Sequence, residues 1–293
     1  MAALTVASIP RAIEDEPKRH RWARMFRDPA AVLGLAIVTL VAVCAIFAPL
    51  LTHIDPNLQD LSATFVPPGS HGHALGTDNL GRDVLARILW GSRISAIVGV
   101  CVVLIGGTIG IALGLIGGYF GGWLDALIGR VADVQLAFPL VLLAVAIVGV
   151  VGPGVVTVIA VIGLTSWVQY VRVIRAETLS LRERDFVAAA VASGASRRRV
   201  ILRHLLPNVA SPAIVLATFE IARAVVLESS LSFLGLGVPP TIPSWGGMLA
   251  DGRQYLDTAW WIGTLPGLAI VTAVMGVNLL GDGLRDALDP NAR

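Results

Sequence analysis

Long apolar runs, separated by short polar segments, set the pattern of this chain. Because a helix needs about 20 mostly apolar residues to cross a bilayer, the runs predict six membrane-spanning helices. These helices are predicted at residues 30–51, 94–120, 136–151, 155–173, 212–236 and 261–280. We therefore expect an all-α integral membrane protein, with a tail at 1–29 followed by a transmembrane domain at 30–293.

The basic residues predict the orientation of these helices. Lys and Arg collect on the cytoplasmic side of a membrane, and here they cluster before the first apolar run and after the second, fourth and sixth. Both termini are therefore predicted inside, and the basic loop at 178–208 is predicted to lie in the cytoplasm. Only 14% of the residues are charged, against about 25% in a soluble domain, which indicates a lipid bilayer as the surroundings. The net charge of +2 argues against nucleic acid as a partner.

The chain carries few residues that indicate catalysis. A P-loop ATPase needs the pattern G-x-x-x-x-G-K-[ST], and Lys18, the single lysine, has no glycine around it. We therefore expect no enzyme activity and no bound cofactor, and any ATP must be held by another subunit. His71 and His73 have no third ligand nearby in the sequence, so they are weak evidence for a metal site and none is predicted.

The fifth apolar run differs from the first four in carrying charged residues well inside it, at Glu220, Arg223 and Glu228. Glu220 and Arg223 are three residues apart, so they can pair on one helix face. Ionisable residues inside a membrane often mark a transport pathway, and the alternative is a neutral structural pair in the protein interior. Glu228 has no obvious local partner and is the sharper pathway candidate.

Glycines recur at every fourth position of the second apolar run, at Gly106, Gly110, Gly114 and Gly118, and again at Gly122. This spacing gives a helix one smooth stripe that another backbone can approach closely. The stripe predicts either ordinary tight packing within the helix bundle or a sliding interface beside a pathway.

Three tryptophans, Trp245, Trp260 and Trp261, flank the last outer loop. Because aromatic rings prefer the membrane–water interface, this loop is predicted to lie against the outer headgroups. Its stretch at 238–245 is too rich in proline for a continuous helix. It is predicted either to cap the outer mouth or meet a soluble protein that delivers a ligand, or to be a plain surface loop.

The basic loop contains the most informative stretch of the chain. Residues 181–193 can form a helix, Gly194 permits a sharp break, and Ser196 can cap a second helix that is expected to end at Pro207. Small alanines on the first helix and arginines on the second predict a docking site for a soluble partner. The alternative is a basic loop that touches anionic lipid, which explains the arginines but not the helix–break–helix pattern.

This stretch resembles the EAA coupling loop of ABC-importer permeases, whose pattern is E-A-A-x-x-x-G, nine residues, then I-x-L-P. Ala188 replaces the glutamate of that pattern and His204 replaces its isoleucine. The resemblance assigns ATPase coupling to Ala188, Ala189, Ala190, Gly194, Ala195, Arg198, Leu206 and Pro207. The stretches G-T-D-N-L-G-R-D at 76–83, E-S-S-L-S-F-L-G-L-G at 228–237 and N-L-L-G-D-G-L-R-D-A-L-D-P at 278–290 are similar to the C-type permease of dipeptide and oligopeptide importers.

The resemblance implies a type I importer permease, a multi-pass protein of the prokaryotic cytoplasmic membrane that moves dipeptides or oligopeptides. It also implies a B-type permease partner, two ATPase subunits or one fused ATPase that bind ATP and Mg²⁺, and an extracytoplasmic binding protein. Related permeases carry nickel, glutathione or haem-like ligands, so those cargoes stay open. A stand-alone secondary carrier and a membrane anchor for a soluble enzyme are the alternatives from other classes.

Overall fold

A computed structural model of the protein describes residues 25–288, so most of the predicted tail at 1–29 and residues 289–293 lie outside the described part. Within that part the chain is helical and forms no β-strand. The α-helices are α1 (Pro29–Leu51), α2 (Val84–Phe120), α3 (Gly122–Ala137), α4 (Leu140–Val151), α5 (Val155–Arg182), α6 (Asp185–Ala192), α7 (Arg197–Val200), α8 (Leu206–Phe233), α9 (Trp245–Gly252) and α10 (Trp261–Leu288). A π-helical turn covers Ile201–Leu205, and short 3₁₀ turns cover Leu61–Ala63 and Arg253–Tyr255.

The described helices confirm an all-α protein of the membrane type. Five helical stretches are long and apolar enough to cross a membrane, namely α1, α2, α5, the continuous stretch Arg197–Phe233, and α10. Helices α3 and α4 meet the same test together but are bent by 82° at the break between them. Counted as one broken span, this pair makes six crossings.

The helices differ in their ends from the apolar runs that predict them. Helix α2 begins at Val84 rather than near residue 94, because the Asp83 carboxylate caps its first turn by accepting the Ala86 N–H at 2.7 Å. Helix α5 continues past residue 173 to Arg182. The break between α3 and α4 lies at Phe138 and Pro139, since a residue before proline is driven into extended backbone, as Phe138 is at φ −92 and ψ 122.

The glycine stripe of α2 packs against α5. Gly106 faces Ser166, Gly110 faces Tyr170, Gly114 faces Ile174 and Gly118 faces Thr178. A Cβ atom built on Gly106, Gly114 or Gly118 would lie 2.7 to 2.8 Å from the Cβ of the facing residue, closer than real carbon atoms approach. The contact residues on both helices therefore recur every four residues, and each of these α5 side chains fills the space left by a glycine.

This interlocking favours tight packing over a sliding interface. A shift along the helix axis would move each of these α5 side chains out of that space and onto a bulkier α2 residue, which costs overpacking at several points at once. The fifth glycine, Gly122, does not take part: it opens α3, has φ +62, and a Cβ added to it would meet no atom within 4 Å.

We predict that Gly110→Ala destabilises the protein. The added methyl would overlap the Cβ of Tyr170 and lie 2.5 Å from the Trp167 carbonyl oxygen, which is backbone and cannot rotate away. The free energy of unfolding should fall by roughly 1–3 kcal/mol, measured as the thermal unfolding midpoint in detergent. Gly129→Ala on α3 is the matched control, because nothing lies within 4 Å of its added Cβ. Equal midpoints for the two variants would contradict this packing.

Candidate functional site

We name residues 183–208 the cytoplasmic segment, after the side of the membrane that the basic residues predict for it. The segment follows directly from the end of α5. Arg184 is extended at φ −78 and ψ 148 and turns the chain into α6. Helix α6 ends in a Schellman motif, in which the Gly194 N–H donates to the Val191 carbonyl and the Ala195 N–H donates to the Ala190 carbonyl, both at 3.0 Å. Gly194 has φ +81, a left-handed conformation that glycine adopts without strain. The structure thus places the predicted break at Gly194.

The second helix of the segment does not end at Pro207, so that prediction is wrong. Ser196 caps α7 as expected, its Oγ accepting the Arg199 N–H at 3.4 Å, but the helix then runs on without interruption from Arg197 to Phe233. The reason is the π turn Ile201–Leu205, where the Leu206 N–H reaches back to the Ile201 carbonyl. This wider turn shifts the hydrogen-bond register just before the proline, which has no N–H to donate.

Three apolar side chains anchor the segment to the bundle. Val187, Val200 and Leu205 are 2%, 0% and 0% exposed and pack in one cluster with Ile174 of α5 and Leu115 of α2. The cluster therefore joins the cytoplasmic segment to the two helices of the glycine stripe.

The opposite face of the segment is free. Among the residues assigned to coupling, Ala188, Ala189, Gly194, Arg198 and Pro207 are exposed, and Ala190 is half-buried. The exposed apolar side chains of Phe186, Val191 and Leu202 and the arginines of α7 extend this face. Ala195 and Leu206 instead turn inward and pack at the edge of the buried cluster. The segment thus presents a low, partly apolar surface beside a basic one.

Arg182 is a link that sequence reasoning missed. Its Nη1 donates to the Tyr119 carbonyl at 3.2 Å and to the Gly118 carbonyl at 3.4 Å, at the C-terminal end of α2. Carbonyls at a helix C-terminus carry partial negative charge and attract cations, and an arginine in the last turn of α5 was the signal for this contact. Arg175 pairs with Asp125 in the same region, which ties α3 to α5.

Of the three charged residues in the fifth run, Glu220 and Arg223 pair with each other, and the three side chains differ in burial. Arg223 Nη1 lies 3.1 Å from Glu220 Oε1, so these two residues pair on α8 as predicted. The Glu220 side chain is 5% exposed and the Arg223 side chain is 39% exposed. Glu228 is fully buried and does have local partners, because its Oε1 accepts the Ser232 hydroxyl at 2.8 Å and its Oε2 accepts the Ser229 hydroxyl at 3.4 Å. Of the three, only Arg223 reaches the surface of the described chain.

An ion network lies at the N-terminal end of α2, the end that the predicted orientation places outside, and this network was not predicted. Asp78 Oδ2 lies 2.6 Å from Arg82 Nε and 3.0 Å from Arg87 Nη1, and all three side chains are buried. Asp251 of α9 adds a second carboxylate, 3.4 Å from Arg82 Nη2 and 3.9 Å from Arg87 Nη2. The network therefore fastens the first outer loop to the last one.

Two of the three tryptophans are buried and hold the two outer loops to α2. Trp261 Nε1 donates to the Thr77 carbonyl at 3.0 Å, and Trp245 Nε1 donates to the Ile88 carbonyl at 2.9 Å. Both side chains are buried, and only Trp260 is exposed. The indole N–H groups of Trp245 and Trp261 thus find backbone acceptors inside the protein, and the position of the loop against the headgroups stays a prediction.

His71 and His73 lie in different environments. His73 Nδ1 lies 2.7 Å from Asp83 Oδ2, whereas His71 is exposed at φ 50. Across residues 25–288 no group of three or more His, Cys, Asp or Glu side chains could hold a metal ion. In the same loop the Ser62 hydroxyl donates to the Asp60 carboxylate and lowers the pKa of that group. These contacts order the loop.

Comparisons with known proteins identify two matching family models. Residues 110–293 match the binding-protein-dependent transport system inner membrane component. Residues 17–68 match the N-terminal transmembrane domain of oligopeptide transport permease C.

Individual relatives are similar over nearly the whole chain. The di/tripeptide transport system permease protein DppC of Pseudomonas aeruginosa is 41% identical over 98% of this chain and 96% of its own. The dipeptide transport system permease protein DppC of Alkalihalophilus pseudofirmus is 41% identical over 94% of this chain and 91% of its own. The glutathione transport system permease protein GsiD of Escherichia coli is 42% identical over 94% of this chain and 91% of its own.

We predict that Val200→Ala loosens the cytoplasmic segment. Val200 is fully buried, and its truncation removes roughly two methylene equivalents of burial, about 1.6 kcal/mol. Trypsin should therefore cleave after the arginines of α7 about ten times faster than in the unaltered protein. Leu202→Ala is the control, because that side chain is 50% exposed. Equal cleavage rates for both variants would contradict the anchoring role.

Proposed function

Because the chain belongs to the family of binding-protein-dependent transport system inner membrane components, we propose that it is the membrane-spanning permease subunit of an ATP-driven importer of dipeptides or oligopeptides. The resemblance to C-type peptide permeases is confirmed by the two family matches. The protein is a multi-span component of the prokaryotic inner membrane. The observation that carries the proposal is the anchored cytoplasmic segment with its exposed helix–Gly194–helix face.

Peptide cargo is supported by the names of the relatives. Two of them are permeases of dipeptide or di/tripeptide systems. The glutathione permease keeps glutathione as the second candidate, and since glutathione is itself a tripeptide, both candidates share a peptide backbone and free carboxylates. None of the three relatives described above is named for nickel or haem-like cargo.

The chain's own contribution would be movement rather than hydrolysis. ATP and Mg²⁺ would be held by two separate ATPase subunits or one fused ATPase, since this chain has no P-loop pattern. A partner that pressed on α6 would move Val187 and Val200, and through their cluster it would move α2 and α5. These two helices are interlocked by the glycine stripe, so they would carry the displacement to the outer end of α2 as one body. Such a switch needs two packings of the bundle that nucleotide state biases.

The remaining partners follow from the same family assignment. A B-type permease would complete the pathway, and an extracytoplasmic binding protein would deliver the peptide to the outer loops. Both termini of this chain would lie in the cytoplasm, which places the basic face of α7 on the side where the ATPase binds.

We predict that gentle affinity purification of this chain from its native membrane recovers a second six-span permease and a P-loop ATPase. Mass spectrometry of the co-purifying proteins identifies both, and a co-purified binding protein would yield its cargo on elution. A stable homo-oligomer that transports solute without any ATPase would overturn the importer and favour a secondary carrier.

We predict that Gly194→Val uncouples ATP hydrolysis from uptake. Valine at φ +81 is strained by roughly 1–3 kcal/mol, so the turn that presents α6 would be distorted. Peptide uptake by the reconstituted complex should fall about tenfold or more, while ATP hydrolysis persists.

Ser193→Val is the matched control, because it adds the same side chain one residue earlier, at φ −77 on an exposed position. Unchanged uptake by the Gly194 variant would count against the coupling role of this turn.

A further inference from the structure

A cavity of about 530 Å³ lies at the outer end of the molecule and belongs to neither the cytoplasmic segment nor the charges of α8. Its walls come from the last turn of α8, the proline-rich stretch after it, and α9. The side chains that matter for its chemistry are Arg87, Ser232, Asp251, Arg253 and Gln254. Pro153, from the turn between α4 and α5, closes one side.

Arg87 lines this cavity and has one hydrogen-bond donor that is not used. Its side chain is only 3% exposed, and its Nη1 donates to Asp78 Oδ2 at 3.0 Å. Its Nε is buried and has no hydrogen-bond partner among the described residues. A buried donor without an acceptor is costly, and a guanidinium has five donors in a fixed fork. Arg87 therefore lines the cavity and keeps one buried N–H, on Nε, without an acceptor among the described residues.

The charges around the cavity leave one positive charge over. Among the residues that line it, two guanidiniums, of Arg87 and Arg253, stand against the one carboxylate of Asp251. Behind this lining, Arg82 pairs with Asp78. Arg253 is exposed at the rim, stacked 5.2 Å from the centroid of the Phe233 ring, and no carboxylate in the described part lies within ion-pair distance of it. Glu228 does not line the cavity, but its carboxylate accepts a hydrogen bond from Ser232, which does.

We propose that this cavity binds a carboxylate, with Arg87 as the buried donor and Arg253 as the rim charge. Arginine is suited to planar carboxylates because its donors form a fork, and the cavity volume is within the range of small-ligand sites. The proline-rich stretch at 238–243 gives the site a stiff outer wall. The proposal rests on the proposed function, and the carboxylate is either the terminus of the cargo peptide or an acidic side chain of the protein that delivers it.

The first arm of the test measures cargo. Radiolabelled dialanine and dialanine amide are bound at equilibrium to the whole transport complex in nanodiscs, without nucleotide. The free acid should bind about tenfold more tightly than the amide, since a hydrogen bond to a charged group is lost in the amide. Arg87→Lys, which keeps the charge but not the fork, and Ala250→Phe, which fills the cavity, should both abolish this preference.

Arg93→Lys is the matched control. Arg93 also lies near the outer end of α2, stacked on Trp90 at 5.1 Å, but it does not line this cavity. Should the Arg87 variant fail to assemble, Arg253→Gln decides the result, because that exposed side chain is not part of the buried network; it should reduce the preference several-fold.

The second arm measures the delivering protein. If dialanine and its amide bind alike, docking of the ligand-free binding protein to the same nanodiscs should weaken about tenfold in Arg87→Lys and remain unchanged in Arg93→Lys. That result would assign the carboxylate to the binding protein. Insensitivity of both arms to Arg87→Lys and Arg253→Gln, in a complex whose ATP-driven uptake is intact, would overturn the carboxylate site and leave the importer function standing.

Discussion

Along the glycine stripe, the contact between α2 and α5 is made by side chains of α5 that fill the space left by glycines of α2. Such a contact brings the two backbones close and allows no gradual adjustment, since the facing Cβ atoms of α5 already touch α2. Helix α2 has 37 residues and is therefore about 55 Å long. The pair is the stiff element on which both faces of the molecule are built.

At the cytoplasmic end, this stiff pair is joined to the helix–Gly194–helix segment by apolar burial and by the Arg182 contact to the end of α2. At the outer end, α2 begins inside the ion network of Asp78, Arg82, Arg87 and Asp251. In the proposed switch, a displacement at one end would therefore reach the other end through this pair. Segments that are far apart in the chain, 52–83 and 234–260, are held together at that outer end, so in the proposed switch they would move with α2.

Sequence patterns predicted the parts of this arrangement that depend on local order. The apolar runs located the long helices except at the third run, where the helix is broken at Phe138 and Pro139. The four-residue glycine spacing predicted a close helix contact, and Gly194 predicted a break because glycine is relaxed at positive φ. Glu220 and Arg223 were paired correctly because helix geometry alone brings them together. The same local reasoning failed at Pro207, where the π turn just before it changes the hydrogen-bond register of the helix. It also failed at Glu228, whose partners Ser229 and Ser232 lie one and four residues further along the same helix.

The contacts that hold the two outer loops to α2 could not be derived in this way. Arg82 and Asp251 are separated by most of the chain, and nothing in either neighbourhood indicates the other. The tryptophans show the same limit: composition places them at an interface, but the hydrogen bonds to the Thr77 and Ile88 carbonyls depend on how the loops fold over α2. Such contacts follow from the tertiary fold, which single-sequence periodicity does not specify.

The π turn at Ile201–Leu205 changes the spacing of the buried residues along the helix Arg197–Phe233. Val200, Leu205, Val209 and Ala213 all face inward, so the buried positions follow intervals of five, four and four. An ordinary α-helix would rotate the fifth residue away from that side, and the wide turn absorbs the extra residue instead. The π turn therefore accommodates one residue more than a regular helix would. The buried side of the membrane-crossing helix stays aligned with Val200, which anchors the cytoplasmic segment.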